Sequence, residues 1–437
     1  MAGFDITDSF IEDIFICELT MKKSILIIAL LAFCIALPAQ NTPLYKEIVK
    51  ELSSKKYQGR GYAKDGVLKA GDYIEKQFRK AGVDEVILQP FTININTFPR
   101  KMKMWVDGRK LTPGDDFVMR EYSPGVKGSF PLYFIDTANF DFEQISKDLQ
   151  TPEYKNAFVV CDFWFPYKHG KEFSILQSDT TCPNAGLLYT WETGLKFYKA
   201  YGENIAAKPI VWTTAEAVRD AKNIKLNVEN KFLSNYESSN VIAKINGESH
   251  DSCFVFTAHY DHLGNLGRKL YFPGANDNAS GTAAIITLAE YYAQHKPKYD
   301  MIFIAFSGED ANLRGSTYYV NHPIVPLSNI KYLFNLDMIG DNNPVQYCEV
   351  SEQGMKGFAE MEAINAKRHY FQSLNRGDLA ANSDHYPFAV QGIPCIFYEN
   401  EEGDAFQYYH TANDTFEHFY FETYELLFKL ITEFIGD

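Results

Sequence analysis

Apolar positions near the start of the folded region recur at helical spacing. Tyr45, Ile48, Val49 and Leu52 fall three and four residues apart, as do Leu68, Tyr73, Ile74 and Phe78, which predicts two helices within 44–80. Gly59-Arg60-Gly61 separates them and Gly82 stands where the second should end. An alternating stretch over 86–95 then reads as a strand. From about 96 to 230 the texture changes. Aromatic and β-branched runs at 130–134 and 158–160 are set apart by Gly, Pro, Asn and Asp, the pattern of a mostly β module with few long helices.

Beyond Asn240 the chain alternates strand, loop and helix. Residues 254–258, 301–306, 332–336 and 393–398 are short and almost continuously apolar. Residues 282–294 and 421–435 carry the helical pattern between and after them. Apolar strands alternating with helices predict an α/β domain, a mixed twisted sheet sandwiched by helices. The expected organisation is one α/β domain over 40–95 and 231–437, interrupted by an inserted mostly β domain over 96–230.

The chain has 437 residues, with 46% hydrophobic and 22% charged side chains, as expected of a folded protein. Its 42 basic against 56 acidic residues leave a net charge of −14, which argues against a nucleic-acid partner because no large basic surface is available for phosphates. Residues 1–39 read as an address. Met21-Lys22-Lys23 precedes the apolar run 25–37 and then Pro38-Ala39-Gln40, the three parts of a secretory signal. The run is shorter than the ~20 residues of a spanning helix. Met21 is then the expected start, and the expected location is periplasmic or extracellular, with no membrane span. A lipid anchor at Cys34 is not expected, since Phe33 precedes it where a small residue is needed. Beyond that segment Cys161, Cys182, Cys253, Cys348 and Cys395 form neither a disulfide framework nor a CxxC metal site. Cys253 and Cys395 lie in apolar runs and read as buried thiols. Pairing of Cys161 with Cys182 is left open.

Open α/β sheets bind ligands beyond the carboxyl ends of their strands, and polar residues collect there. His259-Tyr260-Asp261 follows the first apolar run, Ser307-Gly308-Glu309-Asp310 the second and Asp337 the third. Asp277 and its Asn neighbours precede the apolar helix. Tyr409-His410 stands beyond the last run. Imidazoles and carboxylates converging on one rim suit zinc. Two ions close together need a carboxylate between them and leave room for a shared hydroxide, the nucleophile of two-metal hydrolysis.

Over 44–95 and 231–437 the sequence resembles the co-catalytic dizinc aminopeptidases, relatives of glutamate carboxypeptidase and glutaminyl cyclase. Gly59-Arg60-Gly61 also resembles the family's opening. The resemblance implies a phosphorylase/hydrolase-like zinc exopeptidase fold that binds two zinc ions and takes peptides as substrates. It implies that His259 and Asp337 complete one zinc site, Asp310 and His410 the other, and Asp277 bridges them. Glu309 corresponds to the general base for metal-activated hydroxide. Asp261 corresponds to the carboxylate that orients His259, and Tyr409 to a donor for the developing oxyanion. Asp310 departs from the family's usual Glu, so a shifted metal position or a weaker second zinc site is expected. The insert resembles a protease-associated domain and is expected to cap the cleft, limiting substrates to short peptides.

Other residues are weighed on the same scaffold. Asp384 and His385 are expected in the substrate pocket wall, and His262 either in a loop beside the first ligand or behind the ligands as a supporting residue. The acidic stretch 399–404 lies near the mouth and could attract a substrate amine. The expected activity is removal of N-terminal residues from peptides. A glutaminyl cyclase is the alternative, though Tyr409 stands where Trp is usual in that group. A carboxypeptidase acting on acidic dipeptides would need cations such as Arg314 or Arg376 in the pocket. A receptor-like module without metals is disfavoured by the intact ligand set and Glu309.

Overall fold

The computed structural model describes residues 41–192, 194–197, 204–399 and 403–436. The leader reading of 1–39, Cys34 included, and the acidic residues Glu401 and Glu402 lie outside the described residues. Among those described, no helix is long and apolar enough to cross a membrane.

The α/β domain is built on eight strands: β1 (Glu85–Thr97), β2 (Lys231–Ile245), β3 (Ser249–His259), β4 (Tyr299–Phe306), β5 (Ile330–Leu336), β6 (Val345–Val350), β7 (Ser373–Gly377) and β8 (Cys395–Glu399). They lie in the order β1-β2-β4-β3-β5-β8-β6-β7. β4, β3, β5 and β8 are mutually parallel, and β1-β2, β2-β4 and β8-β6 are antiparallel. The sheet is thus mixed, as the sequence pattern predicts.

Successive residues of the central strands feed two separate cores. Phe254, Phe256, Met301 and Phe303 join one apolar cluster, while Cys253, Val255, Ile302 and Ile304 join another on the opposite face. Because both faces are covered, the strands read as continuous apolar runs rather than alternating ones. The larger core draws on helices α1 (Thr42–Leu52), α2 (Gly66–Ala81), α3 (Gly281–Gln294), α5 (Met355–Arg368) and α6 (Glu422–Ile435), the smaller one on α4 (Arg314–Asn321). α3 is buried over nearly its whole length, so it is apolar all round instead of striped. Gly82 caps α2 in the left-handed conformation, φ +84°, where glycine carries no Cβ penalty.

A second eight-stranded sheet is formed by residues between β1 and β2. Its strands Val126–Phe134, Phe158–Asp162, Gly186–Trp191 and Ile210–Thr214 are parallel neighbours. Parallel pairing requires crossovers, and helices Phe142–Asp148 and Gly170–Ser178 lie in two of them. The region is therefore α/β in its centre, while its eight strands outweigh its few short helices as the sequence pattern predicts. Its core includes Leu263, Leu266 and Phe272, which belong to the chain after β3 and not to the insert. Cys161 and Cys182 are separate thiols, and Cys253, Cys348 and Cys395 are buried.

Candidate metal centre

The four parallel strands present their carboxyl ends along one edge. His259 ends β3, paired with Phe306 at the end of β4, so Glu309 and Asp310 follow on the adjacent loop. Asp337 comes directly after β5. Ligand atoms of His259, Asp277 and Asp337 lie within 4.8 Å of one another, as do those of His259, Glu309 and Asp310. The Asp277 carboxylate faces two ways: Oδ1 is 3.3 Å from His259 Nε2 and Oδ2 is 3.1 Å from His410 Nε2. That is the geometry of a bridging group. Asp310 Oδ1 lies 4.0 Å from His410 Nε2. Glu309 Oε2 stands 4.0 Å from His259 Nε2.

Hydrogen bonding at His259 tests whether a cation belongs here. Its Nδ1 is 3.1 Å from the Asp261 main-chain carbonyl, which can only accept, so Nδ1 carries the proton. Nε2 then points at Asp337 Oδ2, 3.2 Å away, and at Asp277. A lone pair facing carboxylates demands a positive centre between them. Burial alone would push the His259 pKa down, but the Asp337, Glu309 and Asp277 charges drive it well above the ordinary range. The imidazole must hold a proton or give its place to a metal ion, and the His and carboxylate donor set fits zinc.

This geometry corrects the expected role of Asp261. Its carbonyl, not its carboxylate, meets His259. The carboxylate instead accepts the Glu309 N–H at 3.1 Å and the Tyr62 O–H at 2.7 Å, so Asp261 fixes the backbone under Glu309. Burial raises the Asp261 pKa to about 6 despite opposition from His259. Asp384 and His385 are corrected as well. Both are fully buried and neither lines the cavity, where the adjoining Ala381 and Asn382 do. His385 Nε2 is held 3.1 Å from Glu349 Oε2 and its ring stacks on Phe397. The same segment reaches the centre through Ser383, whose Oγ donates to Asp337 Oδ2 at 2.9 Å.

Three further residues shape the centre, of which His262 is weighed from sequence as a supporting residue. His262 is fully buried, with Nδ1 3.2 Å from Asp310 Oδ2 and 3.7 Å from Asp277 Oδ2, so it braces the shorter Asp310. The Asp414 carboxylate accepts the N–H groups of Asn276 and Asp277 at 2.8 and 3.0 Å, aiming the bridging segment. Arg60 is wholly buried and donates five hydrogen bonds, to the carbonyls of Leu52, Tyr260, Pro273, Gly274 and Asp277. Its planar fork has five N–H donors; four bonds hold the two ligand segments and the fifth ties them to Leu52 at the end of α1. The Gly59-Arg60-Gly61 sequence was the visible signal for Arg60. Asp414, four residues after His410, carried no signal of its own. Gly281 is required for close approach, because a Cβ there would collide with the Leu336 carbonyl just ahead of Asp337.

The centre opens into a cavity of about 260 Å³ lined by His259, Asp277, Glu309, Asp310, Asp337, Tyr409, His410 and Glu399, with Leu313, Met338 and Phe397 as apolar wall. The described lining contains no Lys or Arg. Arg314 begins α4 and Arg376 lies on β7, and neither reaches the cavity. Burial raises the Glu309 pKa well above the ordinary range; His259 opposes this, and the Asp310, Asp384 and Asp337 charges add to it. Burial would also raise Asp277, but His262, His259 and His410 hold it well below.

Comparison with known proteins agrees with this geometry. Residues 240–435 match the model of Peptidase family M28. Over 226 residues the chain is 30% identical to Aminopeptidase YwaD of Bacillus subtilis, covering 50% of this chain and 48% of that protein. It is 29% identical over 201 residues to Leucine aminopeptidase 2 of Trichophyton rubrum, covering 42% and 39%. The match thus spans about half or less of these relatives' own lengths. The fold is that of a solved Bacillus subtilis zinc aminopeptidase, with a TM-score of 0.68 at 21% identity over 91% of this chain and 95% of that one. A peptidase M28 precursor from Shewanella amazonensis SB2B gives a TM-score of 0.69 at 17% identity over 93% and 95%. The ligand-bearing strand ends thus lie within residues 240–435, the part of the chain that matches Peptidase family M28.

Proposed function

We propose that the protein is an exported zinc-dependent aminopeptidase that removes N-terminal residues from peptides. One observation carries the substrate assignment: the cavity surrounds its two imidazoles with carboxylates and, among the described residues, holds no cation. Such a lining attracts a protonated α-amine. It offers nothing to a substrate's C-terminal carboxylate, so the carboxypeptidase alternative lacks its anchor.

Two zinc ions fit the residues, one held by His259 and Asp337, the other by Asp310 and His410, with Asp277 shared. An ion held there would supply Lewis-acid polarisation of the scissile carbonyl and would lower the pKa of water toward neutrality. Glu309, its basicity raised by burial, takes the proton of the attacking water and delivers it to the leaving amine. The Tyr409 hydroxyl donates to the oxygen on which negative charge develops. Asp261 holds Glu309 by its backbone N–H, and the apolar wall of Leu313, Met338 and Phe397 receives the side chain of the residue removed. Export rests on the signal-like segment 1–39.

Mass spectrometry of residues 40–437, reconstituted with zinc, is the direct test. The peptide set carries free, acetylated or glutamine-led N-termini, with chelator controls. Stepwise loss of one residue from free N-termini alone is the expected result. Loss of ammonia from glutamine-led peptides would instead make it a cyclase, and loss of C-terminal residues would overturn the assignment.

A further inference from the structure

The insert contributes no described residue to the cavity lining, yet it touches the centre from behind. The last ligand, His410, has φ +57°, a left-handed backbone that non-glycine residues adopt only when their surroundings impose it. Its carbonyl accepts a hydrogen bond from the Phe197 N–H at 3.1 Å. Phe197 is buried, and its ring stacks on Phe272 at 5.2 Å, inside the core that the insert shares with the chain after β3. The adjacent Lys196 places its Nζ 4.4 Å from the centre of the Phe406 ring and 5.2 Å from that of Tyr409. Those rings continue one column: Phe406 stacks on Tyr409, and Tyr409 on the His410 imidazole at 3.8 Å.

We propose that residues 194–197 are a strap through which the insert positions Tyr409 and His410, with Lys196 and Phe197 as its positioning residues. This rests on the aminopeptidase reading for the role of Tyr409. The role of Phe197 toward His410 needs only that the centre binds metal. The Phe197 N–H fixes the carbonyl of a ligand whose backbone is in an unfavourable region, so the imidazole is presented without searching. A cation over an aromatic face is attracted by the ring quadrupole, and Lys196 thereby holds the column that aims Tyr409. The insert acts on the reaction from outside the substrate path.

The experiment uses the full-length chain and four variants. Phe197→Pro removes the N–H donor, while Phe197→Leu keeps it and loses only the ring. Lys196→Met removes the cation and Lys196→Arg restores one. Zinc affinity is read by competition with a chelating dye, which requires no peptide, and kcat and KM are read separately on a free N-terminal peptide.

Phe197→Pro is expected to bind zinc about 10-fold more weakly, the scale seen when a group supporting a metal ligand is lost, with Phe197→Leu close to the parent. Lys196→Met is expected to lower kcat about 10-fold through misplacement of Tyr409, with KM little changed, and Lys196→Arg to recover most of it. Parental zinc affinity in Phe197→Pro together with parental kcat in Lys196→Met would overturn the strap. A change in KM alone at Lys196 would also overturn it, by making that residue a substrate contact. If Phe197→Pro does not fold, the Lys196 pair decides. A parent that binds zinc but cleaves no peptide would refute the aminopeptidase reading and leave the zinc comparison at Phe197 to judge the strap.

Discussion

The molecule holds two eight-stranded sheets, each with four parallel strands at its centre, and among the described residues only one gathers a candidate metal centre. In the peptidase sheet the buried polar groups gather at one edge: His259, Asp261, His262, Asp277, Asp310 and Asp337 lie within the reach of a few side chains. In the insert sheet the buried Lys208 and Asn184 instead form a small neutral-acceptor network of their own. Lys208 donates to the Cys182 carbonyl at 3.0 Å and to Asn184 Oδ1 at 2.6 Å, and Asn184 donates to the Leu176 carbonyl at 3.0 Å. Parallel strands provide a rim in both cases. What separates a site from a scaffold is whether the buried charges there balance one another without a further ion.

Substitutions can break this contrast. Glu309→Gln should have the largest effect, reducing kcat by about 10²–10⁴-fold, the range for loss of a general base, with zinc content by mass spectrometry unchanged. Retained turnover would mean that another group takes the proton. Arg60→Lys comes next. An ammonium cannot reproduce a planar fork of five donors, and stranded buried carbonyls cost about 1–3 kcal/mol each. A loss of about 3–5 kcal/mol in denaturant unfolding is expected, with weakened zinc binding. Lys208→Met in the insert strands only the Asn184 and Cys182 acceptors, so about 1–3 kcal/mol should be lost with zinc affinity unchanged.

A further test sharpens the comparison by pH. In the metal-free protein burial raises the pKa values of Asp261 and Asp414 to about 6 and of Asp384 to about 7. A folded-state pKa above the unfolded value of about 3.9 means that the native state binds more protons between the two. Stability should therefore fall as pH rises from about 4 to 7. The raised His259 acts in the same direction, and the depressed Asp277 matters only at more acid pH. Thermal melts of chelated protein across that window should slope downward, and zinc should flatten them. A melting temperature independent of pH without metal would contradict the excess of buried carboxylates.

The strands were readable because both of their faces are buried, so each run is apolar throughout and its polar punctuation stands out. That is why the polar segments at the strand ends could be located; the resemblance to dizinc aminopeptidases then implied His259, Asp277, Glu309, Asp310, Asp337 and His410 within them, and the structure gathers all six around one cavity. Contacts through the main chain left no such trace. Asp261 works by its carbonyl at His259 and by its carboxylate at the backbone of Glu309, a division of labour that residue type does not encode. Asp384 and His385 sit in a polar segment like that of a pocket wall, but the segment turns inward and presents Ala381 and Asn382 instead. The crossover helices of the insert are only seven and nine residues long, too short for their periodicity to compete with the aromatic runs beside them.

The antiparallel pairing of β1 with β2, from Glu85 with Lys244 to Thr97 with Lys231, has a consequence for folding. The insert leaves and returns through neighbouring strands, so topologically it is a very long hairpin loop. Closing a loop costs entropy that grows only logarithmically with its length, and collapse of the insert brings the two strands together. Yet its core is completed by Leu263, Leu266 and Phe272, which lie between the ligands His259 and Asp277. The insert core cannot be finished without chain belonging to the α/β domain, and calorimetry should record one cooperative unfolding transition where two sheets would lead one to expect two.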